Sequence, residues 1–191
     1  MMEEKPLVLF FPFDLLSHYT RCLEIARMLE DDFLILFQSS DKFDGFVKAE
    51  GFKAFDCVGF DAEKVMECAK NFDFSWLNSK DIEKIFLRQV EVIRRLEPAI
   101  VIGDMSSTLK MAAEYSNTPF VSILNAYMTG HYKFCRDVPP SHPGSKYLKK
   151  LPGKITMSIL RIAESAAMAQ VEKPFNKIRV KYGLKRKFNL P

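Results

Sequence analysis

The sequence lacks the arrangements of cysteine and histidine that hold a metal ion or form a disulfide framework. Its four cysteines are scattered, with no CxxC pair and no matching histidine spacing: Cys22, Cys57, Cys68 and Cys135. This pattern argues against a zinc site and against disulfides, and is typical of a reducing compartment. The chain shows no signal-peptide pattern, and its apolar run at residues 7–11 is too short to span a membrane. We therefore expect a cytoplasmic protein without a bound metal.

Two nucleotide-binding motifs are also missing. No GxGxxG follows the first apolar run, and GxxxxGK[ST] occurs nowhere in the chain. The glycines of these motifs let backbone amides approach phosphates, so their absence argues against nicotinamide dinucleotides and P-loop chemistry. We expect no cofactor, and we expect no nucleic acid as a partner.

Aromatic residues are plentiful, and charge is unevenly distributed. The 17 Phe, 6 Tyr and 1 Trp are consistent either with a Phe-rich core or with an apolar pocket or interface. Residues 146–191 contain twelve Lys/Arg and two Glu, a net charge of about +10, whereas residues 1–145 carry about −6. The basic region suits an anionic lipid surface, a phosphate or an acidic partner, or is simply a solvated surface.

Apolar runs alternate with helical patterns along most of the chain. Five runs predict strands, at 7–11, 33–37, 53–56, 99–103 and 119–124. Amphipathic segments between them predict helices, with N-caps assigned to Ser17, Ser40, Asp61 and Ser106 and a longer helix that begins at Ser79. We therefore predict an α/β fold of the Rossmann-like, doubly wound type, with a mainly parallel sheet.

The second part of the chain has a different pattern. Residues 126–153 are punctuated by Pro-Pro and Pro-Gly pairs and predict a long loop. Two helices are expected after it, one over 154–171 and one that Pro174 begins and Gly183 ends. The domain prediction is thus a single unit of residues 1–191, with the core sheet and its helices at 1–125 and the C-terminal helices at 154–191.

His18 and Asp104 are the first candidates for chemistry. His18 follows the first predicted strand and Asp104 ends the fourth, and these two strands are neighbours in the usual doubly wound order. A carboxylate beside an imidazole fixes one tautomer and leaves the other ring nitrogen to act as a base. The alternatives are that Asp104 only caps the next helix and that His18 only lies at a helix N-terminus.

Other polar and aromatic residues are expected near the same edge of the sheet. Ser106 and Asn125 follow the fourth and fifth strands and are candidates to bind a polar ligand group. Tyr127 and His131 come next and are candidates for the wall of a pocket. Cys22 fits the buried stripe of the first helix and is expected to be a core residue.

Three sequence blocks resemble one family. Residues 17–29, SHYTRCLEIARML, are similar to the GHxxRCLxLAxxL opening of GT-B glycosyltransferases. Residues 98–104 (PAIVIGD), with Ala112-Ala113 and residues 118–126 (TPFVSILNA), resemble the PDLVVxD…AAxxxGVPxVxxxNA block. Residues 174–184 are similar to the late P(L/F)NxxRxxxGL helix. The blocks occur in the same order as in this family, which includes UDP-glycosyltransferases, macrolide transferases and the peptidoglycan N-acetylglucosaminyltransferase.

This resemblance implies an acceptor-binding, N-terminal half of such an enzyme. His18 matches the family's catalytic base and Asp104 the carboxylate that orients it, and the chemistry is transfer of a sugar from a nucleotide-activated donor, such as a UDP-sugar, with inversion. Acceptor contacts are expected from Ser17, Trp76, Ser106, Asn125, Tyr127 and His131.

Two differences from the family bear on this expectation. The loop before His18 is Asp14-Leu15-Leu16-Ser17, which lacks the family's glycines and argues against a phosphate-bearing lipid acceptor. The chain also stops where the family's linker to the nucleotide-sugar-binding domain begins. We therefore expect inactivity without that domain, supplied in the same protein or as a separate subunit.

The expected acceptor is a small molecule or a lipid, with peripheral contact to the inner face of an anionic membrane through 146–191. The alternatives are a non-catalytic module that binds a small molecule or protein, and half of a nucleotide-sugar epimerase.

Overall fold

The computed structural model describes residues 5–71, 73–126, 144–148 and 150–187. Five strands and seven helices are found in these residues, in the order β1 (Leu7–Pro12), α1 (Leu16–Leu29), β2 (Leu34–Gln38), α2 (Asp44–Ala49), β3 (Lys53–Phe55), α3 (Ala62–Lys70), α4 (Ser79–Leu96), β4 (Ile100–Asp104), α5 (Leu109–Tyr115), β5 (Phe120–Ile123), α6 (Ser145–Leu148) and α7 (Gly153–Lys181).

The strands form one parallel sheet in the order β3-β2-β1-β4-β5. This confirms the predicted α/β class and the predicted pairing of the first strand with the fourth. Pro12 of β1 is in register with Asp104 of β4, and Asp104 is in register with Ile123 of β5. The carboxyl ends of three neighbouring strands therefore lie level at one edge of the sheet.

Side chains alternate between the two faces of the sheet, as the period of a strand requires. On one face, Val8, Phe10 and Ile102 pack against α1 and α2. On the other, Leu9, Phe11 and Val101 pack against α4, α5 and the end of α7. The sheet is thus covered on both faces, which explains why its central strands are continuous apolar runs.

Several predicted helix caps are wrong. α1 begins at Leu16, so Ser17 lies inside the helix, and its cap position, Leu15, makes no side-chain hydrogen bond. Backbone bonds form this start instead, because the amides of His18 and Tyr19 both donate to the carbonyl of Leu15. α5 likewise begins after Thr108 rather than at Ser106. The cap at Asp61 is confirmed, since its carboxylate accepts from the Lys64 amide at 3.1 Å.

Helix boundaries also differ at two other places, whereas α4 begins at Ser79, as predicted, with Asn78 as its cap. α2 begins after Phe43 rather than at Ser40. Pro174 lies inside α7 instead of starting a separate helix, so the two predicted C-terminal helices are one. Gly183 ends it in the left-handed region, as predicted, with φ of 75°.

Candidate active site

His18 and Asp104 meet at the level edge of the sheet. His18 is in the first turn of α1, which follows β1, and Asp104 is the last residue of β4. Nδ1 of His18 lies 2.7 Å from Oδ1 of Asp104, and the Asp104 side chain is 0% exposed. The Phe13 ring and the imidazole pack in a T-shaped arrangement, with 5.7 Å between ring centroids. The structure thus brings the two predicted residues into direct contact.

The turn after β4 fixes the carboxylate. A Cβ on Gly103 would lie 2.9 Å from Leu109 Cδ2 and 3.3 Å from the Ser106 Cβ, so a larger residue would require the Leu109 side chain to shift. Met105 adopts the left-handed region, with φ of 57°, which is uncommon for a residue other than glycine. The chain after β1 is held to the same turn, because the Phe13 amide donates to the Asp104 carbonyl at 2.9 Å. Asp104 therefore lies between Gly103, which is closely approached by its neighbours, and Met105, which has an unusual backbone conformation.

Arg21 is a third member of the cluster, although charged residues of an amphipathic helix usually lie on its outer face. Its Nε donates to Oδ2 of Asp104 at 2.9 Å, and its Nη2 donates to Oδ1 at 2.8 Å. This bidentate geometry is the strongest arrangement available to an arginine and a carboxylate. A signal was present in the sequence, because positions three residues apart on a helix are neighbours, and Arg21 follows His18 by three.

Asn125 joins the cluster from the adjacent strand. Its Oδ1 accepts a hydrogen bond of 2.7 Å from Nη1 of Arg21. Since Ile123 is level with Asp104, Asn125 lies just beyond the carboxyl end of β5. The guanidinium of Arg21 therefore connects α1, β4 and β5 at one point, and Asn125 lies where the sequence predicted a polar contact.

The donors around Asp104 decide which nitrogen of His18 carries a proton. The carboxylate and the guanidinium make the contacts of an ion pair, so Oδ1 only accepts, and Nδ1 must be the donor across the 2.7 Å contact. Nη2 of Arg21 also lies 3.0 Å from Nδ1. With the proton on Nδ1, this last approach is a close contact between two donors. Nε2 of the neutral ring is left without a proton and can accept one.

The other predicted contact residues lie elsewhere or outside the described residues. Ser17 is exposed on α1. The hydroxyl of Ser106 accepts from Nε2 of Gln89 on α4 at 3.2 Å, on the face opposite to α1. Trp76 packs edge-to-face on Phe60 in the α4 layer. Neither Ser106 nor Trp76 is brought against His18 by the contacts it makes.

Tyr127 and His131 fall within residues 127–143, which lie outside the described residues.

The cysteine nearest to the cluster is buried. Cys22 has no solvent exposure, and burial, followed by the negative charge of Asp104, raises the pKa of its thiol well above the usual range. A thiol that resists ionisation is a poor nucleophile. This fits the core role predicted for Cys22.

Neither a metal-binding cluster nor a membrane-spanning helix is found in the part of the chain that the structure describes. Within residues 5–71, 73–126, 144–148 and 150–187, no group of three or more His, Cys, Asp and Glu side chains could hold a metal ion. Over the same ranges, the helices are each too short or too polar to cross a bilayer.

Comparison with known proteins identifies the fold. No protein-family model and no curated protein matches the sequence. Three solved structures are similar over most of this chain. The glycotransferase of kitacinnamycin matches with a TM-score of 0.59 and 10% identity, over 97% of this chain and 43% of its own. CalG4, the calicheamicin glycosyltransferase, matches with a TM-score of 0.57 and 15% identity, over 95% and 42%.

The spinosyn forosaminyltransferase SpnP gives a TM-score of 0.50 at 16% identity, over 88% of this chain and 42% of its own. The chain spans less than half the length of these solved structures. All three are glycosyltransferases, and the chain has the fold of part of a GT-B glycosyltransferase. The resemblance found in the sequence is thereby confirmed at the level of the fold.

Proposed function

We propose that this chain supplies the acceptor-binding side of a glycosyltransferase and that His18 is its catalytic base. The observation that carries the proposal is the 2.7 Å contact between Nδ1 of His18 and Asp104, made where the carboxyl ends of β1 and β4 lie level. Ligands of open α/β sheets bind at this edge. A His–Asp pair at this edge, in a chain with the fold of glycosyltransferases, supports the assignment of His18 as the base.

The proposed reaction is a displacement at the anomeric carbon of a nucleotide sugar. The acceptor oxygen forms a bond to that carbon from the face opposite the leaving group, and the bond to the nucleotide phosphate breaks, so the configuration inverts. The hydroxyl proton passes to Nε2 of His18, and the nucleoside diphosphate leaves with the bonding electron pair. Asp104 stabilises the imidazolium that forms, because its carboxylate accepts from Nδ1.

The donor is proposed to be a UDP-sugar or a related nucleotide sugar bound by another domain or subunit. The coverage supports this division, because the glycosyltransferases that match the chain are more than twice as long as the matched part. The acceptor is a small molecule or a lipid bearing a hydroxyl group. Asn125 is the predicted acceptor residue that lies in the cluster.

The C-terminal region is proposed to touch an anionic membrane at its cytoplasmic face. Ile155, Ile159 and Ile162 are exposed on α7 and share one face of the helix, being spaced by four and three residues. Lys154 and Arg161 follow the adjacent stripe and are also exposed. An apolar face bordered by cations is typical of helices that lie in a bilayer interface.

Reconstituted sugar transfer tests the assignment of the base. The chain is combined with its nucleotide-sugar-binding domain, and transfer from a radiolabelled UDP-sugar to a panel of acceptors is measured. His18→Ala is expected to reduce the rate by roughly 10²–10⁴-fold, the usual contribution of a general base. Circular dichroism and thermal unfolding serve to show that the variant is folded.

The matched control is Thr20→Ala, which alters an exposed position of the same helix and is expected to retain full activity. Full transfer by a folded His18→Ala variant would show that another group is the base.

A further inference from the structure

Arg21 uses all three of its nitrogens in the cluster at the edge of the sheet. Nε and Nη2 hold the two oxygens of Asp104 at 2.9 and 2.8 Å, and Nη1 holds Asn125 at 2.7 Å. The side chain is 35% exposed, whereas the carboxylate that it holds is fully buried. The guanidinium thus lies between a buried negative charge and solvent.

The charge balance of the cluster depends on Arg21. A buried carboxylate without a cation is strongly unfavourable. If His18 were its only partner, the carboxylate would favour a second proton on the imidazole, because His⁺ would then supply the missing charge. With Arg21 bound at both oxygens, the negative charge is already compensated. Nη2 also lies 3.0 Å from Nδ1, where its positive charge repels an imidazolium.

We propose that Arg21 is a positioning residue that keeps His18 in its neutral form, with the proton on Nδ1 and Nε2 free. Among the described residues, the charged groups recorded in contact with the imidazole are Asp104 from β4 and Arg21 from α1, and the other recorded contact is the Phe13 ring. The catalytic meaning of this arrangement rests on the proposed function, in which Nε2 must be unprotonated to accept the acceptor proton.

The shape of the guanidinium matters as well as its charge. A planar fork reaches both carboxylate oxygens and Asn125 at once, whereas an ammonium is a point charge at the end of a flexible chain. Lysine at position 21 would keep the charge but could not hold all three oxygens in a fixed geometry. Replacing Arg21 by Lys is therefore expected to change the state of the His18 ring less than replacing it by Gln.

Nitrogen NMR of the histidine rings tests the proposal without any substrate. The chain has three histidines, and the His18 signals are assigned by their loss in His18→Gln. The ring nitrogen shifts distinguish the Nδ1–H form, the Nε2–H form and the doubly protonated ring.

The native chain is expected to show the Nδ1–H form at about pH 7.5. In Arg21→Gln, the Nδ1–H form is expected to lose population to the other ring forms, because Asp104 is no longer held by the guanidinium. The population of the Nδ1–H form in Arg21→Lys is expected to lie between that of the native chain and that of Arg21→Gln.

Arg27→Gln is the matched control. Arg27 is on the same helix and also holds a carboxylate through Nε and Nη2, that of Glu50 at 2.7 and 2.6 Å, but it makes no recorded contact with His18. Its removal is expected to leave the His18 signals unchanged. If Arg21→Gln fails to fold, the comparison of Arg21→Lys with the native chain decides. A folded Arg21 variant whose His18 signals match those of the native chain overturns the proposal.

Activity separates this inference from the proposed function. Altered His18 signals in a chain that transfers no sugar support the role of Arg21 and count against the proposed function. Unaltered signals in a chain that does transfer sugar overturn the role of Arg21 and support the proposed function. Where transfer is observed, Arg21→Gln is expected to lower kcat at about pH 7.5 by roughly tenfold.

Discussion

Residues 171–181 of α7 pack into the core, whereas residues 153–170 of the same helix are bounded mostly by solvent. In the packed part, Phe175, Ile178 and Arg179 are buried against α4 and α5. In the exposed part, none of the described side chains is buried. The two parts form one continuous helix, yet tertiary contacts stabilise only the packed part.

The boundary between the parts coincides with Pro174. Proline has no amide hydrogen, so the helical bond to the carbonyl of residue 170 is missing there. The exposed part is rich in alanine, at positions 163, 166, 167 and 169, and alanine has the highest intrinsic helix propensity. Local propensity therefore accounts for the exposed part, while burial and charge pairing anchor the packed part. A substitution in one part is accordingly expected to leave the other intact.

The largest effect on stability is expected for Arg179→Met, in the packed part. The Arg179 side chain is 1% exposed, its Nη2 donates to both oxygens of Glu114 at 2.8 Å, and its Nε donates to the Lys185 carbonyl at 2.6 Å. We expect the free energy of unfolding to fall by about 2–4 kcal/mol. This is somewhat below the cost of breaking a fully buried pair, because Glu114 is 32% exposed. Urea unfolding followed by the fluorescence of Trp76, the single tryptophan, measures it.

The matched control is Arg161→Met, the same substitution in the exposed part. Arg161 is exposed, so its loss should change the free energy of unfolding by no more than about 0.5 kcal/mol. Equal losses at the two positions would mean that the two parts do not differ in packing.

A smaller effect is expected in the pH dependence of stability. Burial alone would raise the pKa of Glu114, but hydrogen bonds from Lys187 and Arg179 outweigh it and hold the pKa below its usual range. A carboxyl whose pKa is lower in the folded state stabilises the fold above its unfolded pKa, and this stabilisation is lost as the pH falls through the folded pKa. Glu114→Gln should therefore make the loss of stability less steep between about pH 5 and about pH 3.

Urea midpoints at a series of pH values give this slope. Glu67→Gln, which removes an exposed carboxylate on α3, controls for the loss of one acidic group. A Glu114→Gln slope equal to that of the native chain would mean that the packed end of α7 is not anchored through this carboxylate.

The sequence was sufficient for the sheet but not for several of the helix starts. Strand order and the meeting of His18 with Asp104 follow from general rules of α/β topology, which act on the whole chain. Caps at Ser17 and Ser106 were wrong because the chain satisfies these helix starts with backbone contacts or begins the helix later. The separate helix at Pro174 was wrong because a local preference of proline was outweighed by packing on both α4 and α5.

Arg21 shows a second limit of prediction from the sequence. Charged residues on an amphipathic helix are assigned to solvent by the hydrophobic pattern, and the pattern contains no information about a buried carboxylate 83 residues away. Only the folded sheet brings Asp104 within reach of the guanidinium. The spacing from His18 indicated the neighbour on the helix, whereas the ion pair itself required the tertiary structure.

The smallest effect on stability, and the largest on membrane contact, is expected for Ile162→Asp in the exposed part. Ile162 is 71% exposed, so the free energy of unfolding should change by no more than about 0.5 kcal/mol. If the exposed part contacts an anionic bilayer, the native chain floats with vesicles of phosphatidylcholine and phosphatidylserine at low salt. It is released at high salt because the attraction is screened. Ile162→Asp should weaken flotation, since a carboxylate in the apolar face is both desolvated and repelled by the lipid headgroups.

Met28→Asp is the control, because Met28 is 82% exposed on α1, away from the basic region, and its replacement adds the same charge. It should leave flotation unchanged. Vesicles of phosphatidylcholine alone distinguish the charge of the lipid from the apolar contact, and sedimentation of the chain without lipid distinguishes membrane contact from self-association through α7. Flotation of the native chain that does not depend on the charge of the lipid would contradict the membrane proposal, and so would burial of the exposed part of α7 in a dimer. In either case the exposed part of α7 would instead be a protein-binding surface.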